Sequence, residues 1–308
     1  MGANEMAEKA TSPKLKQKSR INWNLWIPLI PLLLWLFLLL VFPHVRLFML
    51  SLMERGQNSF SDGGITASNY LDPFLDPDRL FIQVFARTIF FSLLNTLLTL
   101  VVTYPIAFAI AKVLKGNRKI LLLLLIALPY YISELIRVYA WMNILRETGF
   151  LNYLLVDVLH IFSQPVEFLY TNSALFVVFV YTSTLLMLLP IYSSLDGLPD
   201  EQIQAAQDLG AGPLATFFYV VFPYSLPGVT AGCILVFMMN VGDYLIPTLI
   251  GGKYNLWVTE MIYNRFIVST NWNLGSAYSL VMLVLTSIVV WLGLRLSGQT
   301  LRGVFSDQ

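Results

Sequence analysis

Six separate stretches of the chain are each long and apolar enough to cross a lipid bilayer, which takes about 20 residues at 1.5 Å per residue. They run from Trp26 to Leu50, Ile89 to Val113, Ile120 to Leu145, Ala174 to Leu195, Pro227 to Ile250 and Ala277 to Ser297. In hydrocarbon every backbone N–H and C=O must find a partner inside the protein, so such stretches fold as helices. The expected fold class is an all-α membrane protein of six transmembrane helices. Composition agrees, with 57% hydrophobic and only 12% charged residues, where soluble domains carry about 25% charged. A net charge of +1 offers no basic face for a nucleic acid. A lone cysteine, Cys233, allows neither an intrachain disulfide nor a Cys-based metal site.

Orientation follows from where the positive charges fall. The first stretch exceeds the core of a cleaved signal and no small-residue cleavage site follows it, so it is expected to persist as a helix. Lys9, Lys14, Lys16, Lys18 and Arg20 precede it, and Lys112, Lys115, Arg118 and Lys119 crowd the connection between the second and third stretches. Cytoplasmic segments collect Lys and Arg, so both clusters are expected inside, with both termini cytoplasmic. The fourth connection, Ser193 to Leu226, breaks that pattern. Alternation places it inside, yet it holds Asp196, Asp200, Glu201 and Asp208 and no Lys or Arg.

This connection is also too long for a simple link between neighbouring helices. Local rules divide it into two short helices. Asp200 is expected to cap a first helix from Glu201 to Leu209, with Gly210 in the left-handed position after its end. Gly212 and Pro213 are expected to open a second, which Pro223 and Pro227 stop. The segment QAAQDLGA, Gln204 to Ala211, followed by Val220, Phe222 and Pro223, resembles the EAA signature of permease subunits in bacterial type I ABC importers, roughly E-A-A-x-x-x-G, nine residues, then I-x-L-P. Gln204 replaces the Glu, Val220 the Ile and Phe222 the Leu, while Ala205, Ala206, Gly210 and Pro223 stand in place.

The resemblance implies that the loop between helices 4 and 5 is a cytoplasmic coupling helix that fits a cleft on an ATPase subunit. Its contact residues would be Asp200, Glu201, Gln204, Ala205, Ala206, Asp208, Gly210, Ala211 and Pro213. Small Ala205, Ala206 and Gly210 suit close packing, and the four acids imply Lys or Arg in the receiving cleft. LPYYISELIRVYAWMNILRETGFLNYLL, Leu128 to Leu155, and VGDYLIPTLIGG, Val241 to Gly252, resemble permeases of spermidine/putrescine importers and of relatives for other small polar amines, opines or aminophosphonates. The resemblance further implies a partner permease, either a second copy of this chain or a different subunit as in a heterodimer, two ATPase subunits that hold the ATP and Mg, a periplasmic or extracellular substrate-binding protein, and residence in the bacterial inner membrane. Residues 26–298 would form the permease domain, with a basic cytoplasmic arm at 1–25 and a cytoplasmic tail at 299–308.

Charges inside a bilayer cost about 2.5–3.5 kcal/mol each on insertion scales. Glu134, Arg137 and Asp243 are the ones away from the span ends. Straight helices would place Glu134 about 21 Å beyond Ile120 and Asp243 about 24 Å beyond Pro227, at a common depth. They form either an ion-pair cluster that pins two helices or the lining of a substrate path, where Tyr130, Tyr131, Tyr139, Trp141 and Tyr244 add aromatic faces for ammonium groups. Prolines at 105, 129, 190, 227 and 247 are expected to kink their spans. The first outer loop, with Asp72, Asp76 and Asp78 beside Arg79, has net negative charge and suits a binding protein, cations or plain solvent. His44 and His160 lie singly near interfaces.

No catalytic site emerges. Around Gly252 and Lys253, Pro247 and Tyr254 occupy two required positions of a phosphate-binding loop, and neither H-E-x-x-H nor G-x-S-x-G occurs. The chain is therefore expected to bind no cofactor and no metal itself and to translocate rather than catalyse. The alternative is an ion- or proton-coupled secondary transporter with Glu134 and Asp243 as carriers.

Overall fold

The computed structural model describes residues 29–56, 64–75, 79–252 and 255–297. The arm cations from Lys9 to Arg20, and Asp76 and Asp78 of the loop after the first span, lie outside them. Among the described residues the regular structure is helical, apart from one isolated antiparallel bridge between Met53 and Ile65. Five helices are long and apolar enough to cross a membrane, and a bent pair makes a sixth when counted as one span.

The main elements are α1 (Leu29–Ser51), α2 (Ser68–Leu75), α3 (Leu80–Val113), α4 (Asn117–Tyr131), α5 (Glu134–Leu145), α6 (Asn172–Asp196), α7 (Asp200–Asp208), α8 (Pro213–Gly242), α9 (Val258–Tyr263) and α10 (Trp272–Leu296). The chain divides into a unit ending at Leu47 and a second beginning at Phe48. In the first, α1 leaves every side chain from Leu29 to Phe42 exposed. A helix that is apolar all round and unburied is one whose solvent is lipid.

In the second unit, α6 packs along both α3 and α8. Tyr104 and Ala107 of α3, Met187, Ile191 and Leu195 of α6, and Val221, Val229 and Val236 of α8 form one buried apolar cluster. Close approach of α6 and α8 depends on Gly228 and Gly232, four apart on one face. A methyl group on Gly228 would collide with the Pro190 carbonyl and lie 2.6 Å from Ser194 Cβ. Small residues with this spacing let membrane helices touch backbone to backbone. The face of α3 turned into this packing is polar: Ser92, Asn95, Thr96, Thr99 and Thr103 recur at helical spacing and are all buried.

Three span expectations are corrected. The stretch from Ile120 to Leu145 is no straight helix, since α4 and the helical run that begins with α5 meet at 92°. The fifth span starts at Pro213 rather than Pro227, and Pro223 and Pro227 do not stop it. A widened turn at Phe217–Val221 lies just ahead of Pro223 and lets the helix run on, because in hydrocarbon a lost proline donor costs less than an abandoned helix. The same span ends at Gly242, short of the expected Ile250.

Candidate functional site

Two helix breaks bring Glu134 and Asp243 together. After α4, Pro129 sits in a tight turn at Leu128–Tyr131, Ile132 is extended, and α5 opens with Glu134 as its first residue. The second break has its cause four residues downstream. A proline ring collides with the carbonyl four positions back and supplies no N–H to it, and four residues before Pro247 stands Asp243. Asp243 is accordingly extended. Its freed carbonyl accepts a 2.5 Å bond from Thr259 Oγ1 of α9, and its Oδ1 accepts from the Ile246 amide at 3.1 Å. The Tyr244 and Tyr263 rings meet at a tilt of 35°, ring centres 4.8 Å apart.

Glu134, Asp243, Tyr244, Met238, Met239, Gly242 and Leu245 line one cavity of about 250 Å³. Arg137 lines a different one, of about 310 Å³, with Trp141 and Tyr181. Its guanidinium lies 4.7 Å from the centre of the Tyr130 ring, and its Nε and Nη1 have no hydrogen-bond partner among the described residues. The Tyr130 hydroxyl is tied to α6, bonded to the Tyr181 and Thr182 carbonyls and the Leu185 amide. The three charges therefore form no ion-pair cluster. Among the described residues no Lys or Arg lies within 4 Å of Glu134 or Asp243. Tyr131 is 90% exposed and Tyr139 is also exposed, both outside these two cavities. The sequence reading passed over Thr259 and Tyr263, although the i−4 rule applied to Pro247 marks Asp243 as a carbonyl in need of an outside donor.

At the opposite end of α6 and α8 lies the segment around α7. Asp200 is the first residue of that helix rather than its cap, and Pro199 holds the cap position. The Asp200 side chain turns instead to Lys112 Nζ at 3.0 Å, and Asp196 pairs with Lys119. The charge-assisted bond from Lys112 holds the exposed Asp200 carboxyl below the usual carboxylate range. Two of the four acids thus have their counter-charges within the chain, while Glu201 and Asp208 remain exposed.

The end of α7 matches its local expectation. Gly210 has φ +87°, its N–H donates to Gln207 O at 2.8 Å, and Ala211 N–H donates to Ala206 O at 3.0 Å, the paired bonds that close a helix on a left-handed residue. Gly212 caps and Pro213 opens the next helix. Gln204 and Ala205 face outward, while Ala206 is half-buried and Ile203 packs on the chain's own core. Missed in the sequence were the outward apolar side chains Leu209 and Leu214, 90% and 75% exposed.

Residues 25–298 match the family described as the binding-protein-dependent transport system inner membrane component. The chain is 34% identical to the spermidine/putrescine transport system permease PotB of Haemophilus influenzae over 85% of its length and 90% of that protein. It is likewise 34% identical to PotB of Escherichia coli, over 85% and 94%. The putative 2-aminoethylphosphonate transport permease PhnU of Salmonella typhimurium is 29% identical over 52% of this chain and 55% of that protein. Among solved structures, a chain of a bacterial ABC transporter that imports the acidic polysaccharide alginate superposes with a TM-score of 0.70 at 17% identity, covering 89% of this chain and 95% of that one. The chain belongs to this family of inner-membrane permease subunits of ABC importers, translocating components rather than enzymes.

Proposed function

We propose that this permease carries a small polar amine inward, a polyamine such as spermidine or putrescine or a related opine, amino-acid-like or aminophosphonate compound. The observation that carries this reading is the cavity shared by Glu134 and Asp243 at two helix breaks, with no Lys or Arg within 4 Å among the described residues and Tyr244 at its wall. Two carboxylates at membrane depth are costly unless something cationic visits them, and an aromatic face beside them attracts an ammonium group further. Similarity to two PotB proteins supports a polyamine. For a zwitterion, Arg137 in its neighbouring cavity would receive the acidic end.

In this reading α1, α3, the bent α4–α5 pair, α6, α8 and α10 make six crossings with both termini cytoplasmic. Residues 26–298 form the permease domain between cytoplasmic segments 1–25 and 299–308. A second, non-identical permease completes the path, and a binding protein delivers substrate to the outer face. The coupling helix α7, with Asp200, Glu201, Gln204, Ala205, Ala206, Asp208, Gly210, Ala211 and Pro213, meets one of two ATPase subunits, which hold ATP and Mg. Exposed Leu209 and Leu214 supply the apolar surface for that contact. Closure of the ATPases on ATP displaces α7 and switches the face to which the cavity opens.

The test compares Glu134→Gln and Asp243→Asn for complex yield, basal ATPase rate and uptake. Uptake is expected to fall while yield and ATPase rate hold. Parallel loss of all three would assign the carboxylates to folding, and full uptake in both variants would remove them from the path.

A further inference from the structure

The bases that answer the acids around α7 are the ones that bracket the turn between α3 and α4. Lys112, in the last turn of α3, donates to the Leu198 carbonyl as well as to Asp200, so it grips both ends of the short segment that opens α7. Its side chain is only 9% exposed, whereas that of Asp200 is 69% exposed. The lysine is thus lodged in the fold, and α7 is held to it. Lys119, in the first turn of α4, pairs with Asp196 at the end of α6, and its ammonium lies 5.1 Å from the centre of the Tyr192 ring. The Tyr192 hydroxyl donates to the other oxygen of Asp196 at 3.4 Å. Lys115 and Arg118 stand in the same turn and make no ion pair among the described residues. The pairing is therefore selective within one cluster of four cations.

Each pair keeps its carboxylate open to solvent, and ion pairs screened in this way add little to stability, about 0–1 kcal/mol, so stapling explains them poorly. Their geometry has another consequence. Helix α4 begins at the Lys119 end and finishes at the elbow before Glu134, so one rigid element joins the paired turn to the wall of the acidic cavity.

We propose that Lys112, on Asp200 of α7, and Lys119, on Asp196 at the α6 end of the segment that leads into α7, are positioning residues that pass the displacement of that segment to α3 and α4, and through α4 to the elbow at 128–133. This rests on α7 being the ATPase-docking element. A shift of the loop that left these pairs intact would drag the α3–α4 turn with it.

The experiment uses the complete importer in nanodiscs and proteoliposomes, with uptake per ATP hydrolysed as the readout and complex yield measured alongside. Lys112→Met and Lys119→Met are each expected to lower that ratio about five-fold or more, the lower end of ordinary coupling free energies, with the complex still assembled. The charge reversal Lys119→Asp with Asp196→Lys, and Lys112→Arg in place of Lys112→Met, which keeps a donor for both the Leu198 carbonyl and Asp200, are expected to recover most of it. Lys115→Met with Arg118→Met removes two charges from the same turn and is expected to leave the ratio unchanged. The proposal is overturned if Lys112→Met and Lys119→Met keep the wild-type ratio, if the reversal and Lys112→Arg assemble without recovering it, or if the Lys115 and Arg118 control lowers it equally. A loss confined to complex yield, restored by the reversal and by Lys112→Arg, would assign the pairs a structural role and also overturn it. Failure of the docking assumption is separable: Leu209→Asp would then leave the ATPase subunits bound.

Discussion

Replacing Gly228 by alanine should loosen the α6–α8 crossing more than any other single methyl added to this face. The new Cβ would overlap the Pro190 carbonyl oxygen and stand 2.6 Å from Ser194 Cβ, where ordinary contact begins at 3.4 Å. Both obstacles belong to or adjoin backbone, so neither can swing aside, and the helices must separate along a cluster that includes Met187, Ile191 and Val229. Overpacking of this kind costs about 1–3 kcal/mol, a fall of roughly 5- to 160-fold in the folded-to-unfolded ratio at about 1.36 kcal/mol per decade. At Gly232 the nearest atom is Met187 Sδ at 2.8 Å, a flexible thioether, so Gly232→Ala should cost less. Gly242 has nothing within 4 Å, so Gly242→Ala serves as the neutral control. Reversible unfolding of the purified subunit in mixed micelles, followed by tryptophan fluorescence, measures all three. Equal stability of the Gly228→Ala and Gly242→Ala proteins would refute the packing argument.

Other outcomes follow from the segment around α7. Gly210→Trp should insert normally yet lose uptake, whereas Gly210→Asn, which tolerates the φ of +87°, should retain it; equal uptake in the two would detach Gly210 from coupling. Leu209→Ala and Leu214→Ala should each weaken retention of the ATPase subunits by roughly 10- to 100-fold if the side chain is fully covered on docking, since burying a leucine contributes about 1.5–3 kcal/mol; unchanged pull-down yields would contradict that. Asp200 has its folded pKa depressed by Lys112, so the pair should be fully formed above the free aspartate value of about 3.9 and weaken as pH falls through the lower folded value. Protease nicking near α7 that rises at neutral pH instead would contradict this sign.

What the sequence determined by itself was local. Apolar length specified membrane helices, because the requirement for internal backbone bonding in lipid needs no knowledge of neighbours. The close of α7 at Gly210 was equally legible, since a left-handed glycine completes bonds within its own turn. The proline rule accounts for the break before Pro247, although the span was expected to run on to Ile250, and it failed at Pro223 and Pro227, where a widened turn absorbed the same defect and the helix continued. Only the tertiary structure decided that Glu134 would face Asp243 while Arg137, three residues on, entered another cavity. That outcome depends on the 92° bend, which destroys the straight-helix depth arithmetic and turns α5 away from the axis of α4. The acidic loop that seemed to break the charge pattern likewise had no local explanation. Its partners, Lys112 and Lys119, are distant in the chain and meet Asp200 and Asp196 only because α3 and α6 end where α4 begins, which packing sets and no window of sequence contains.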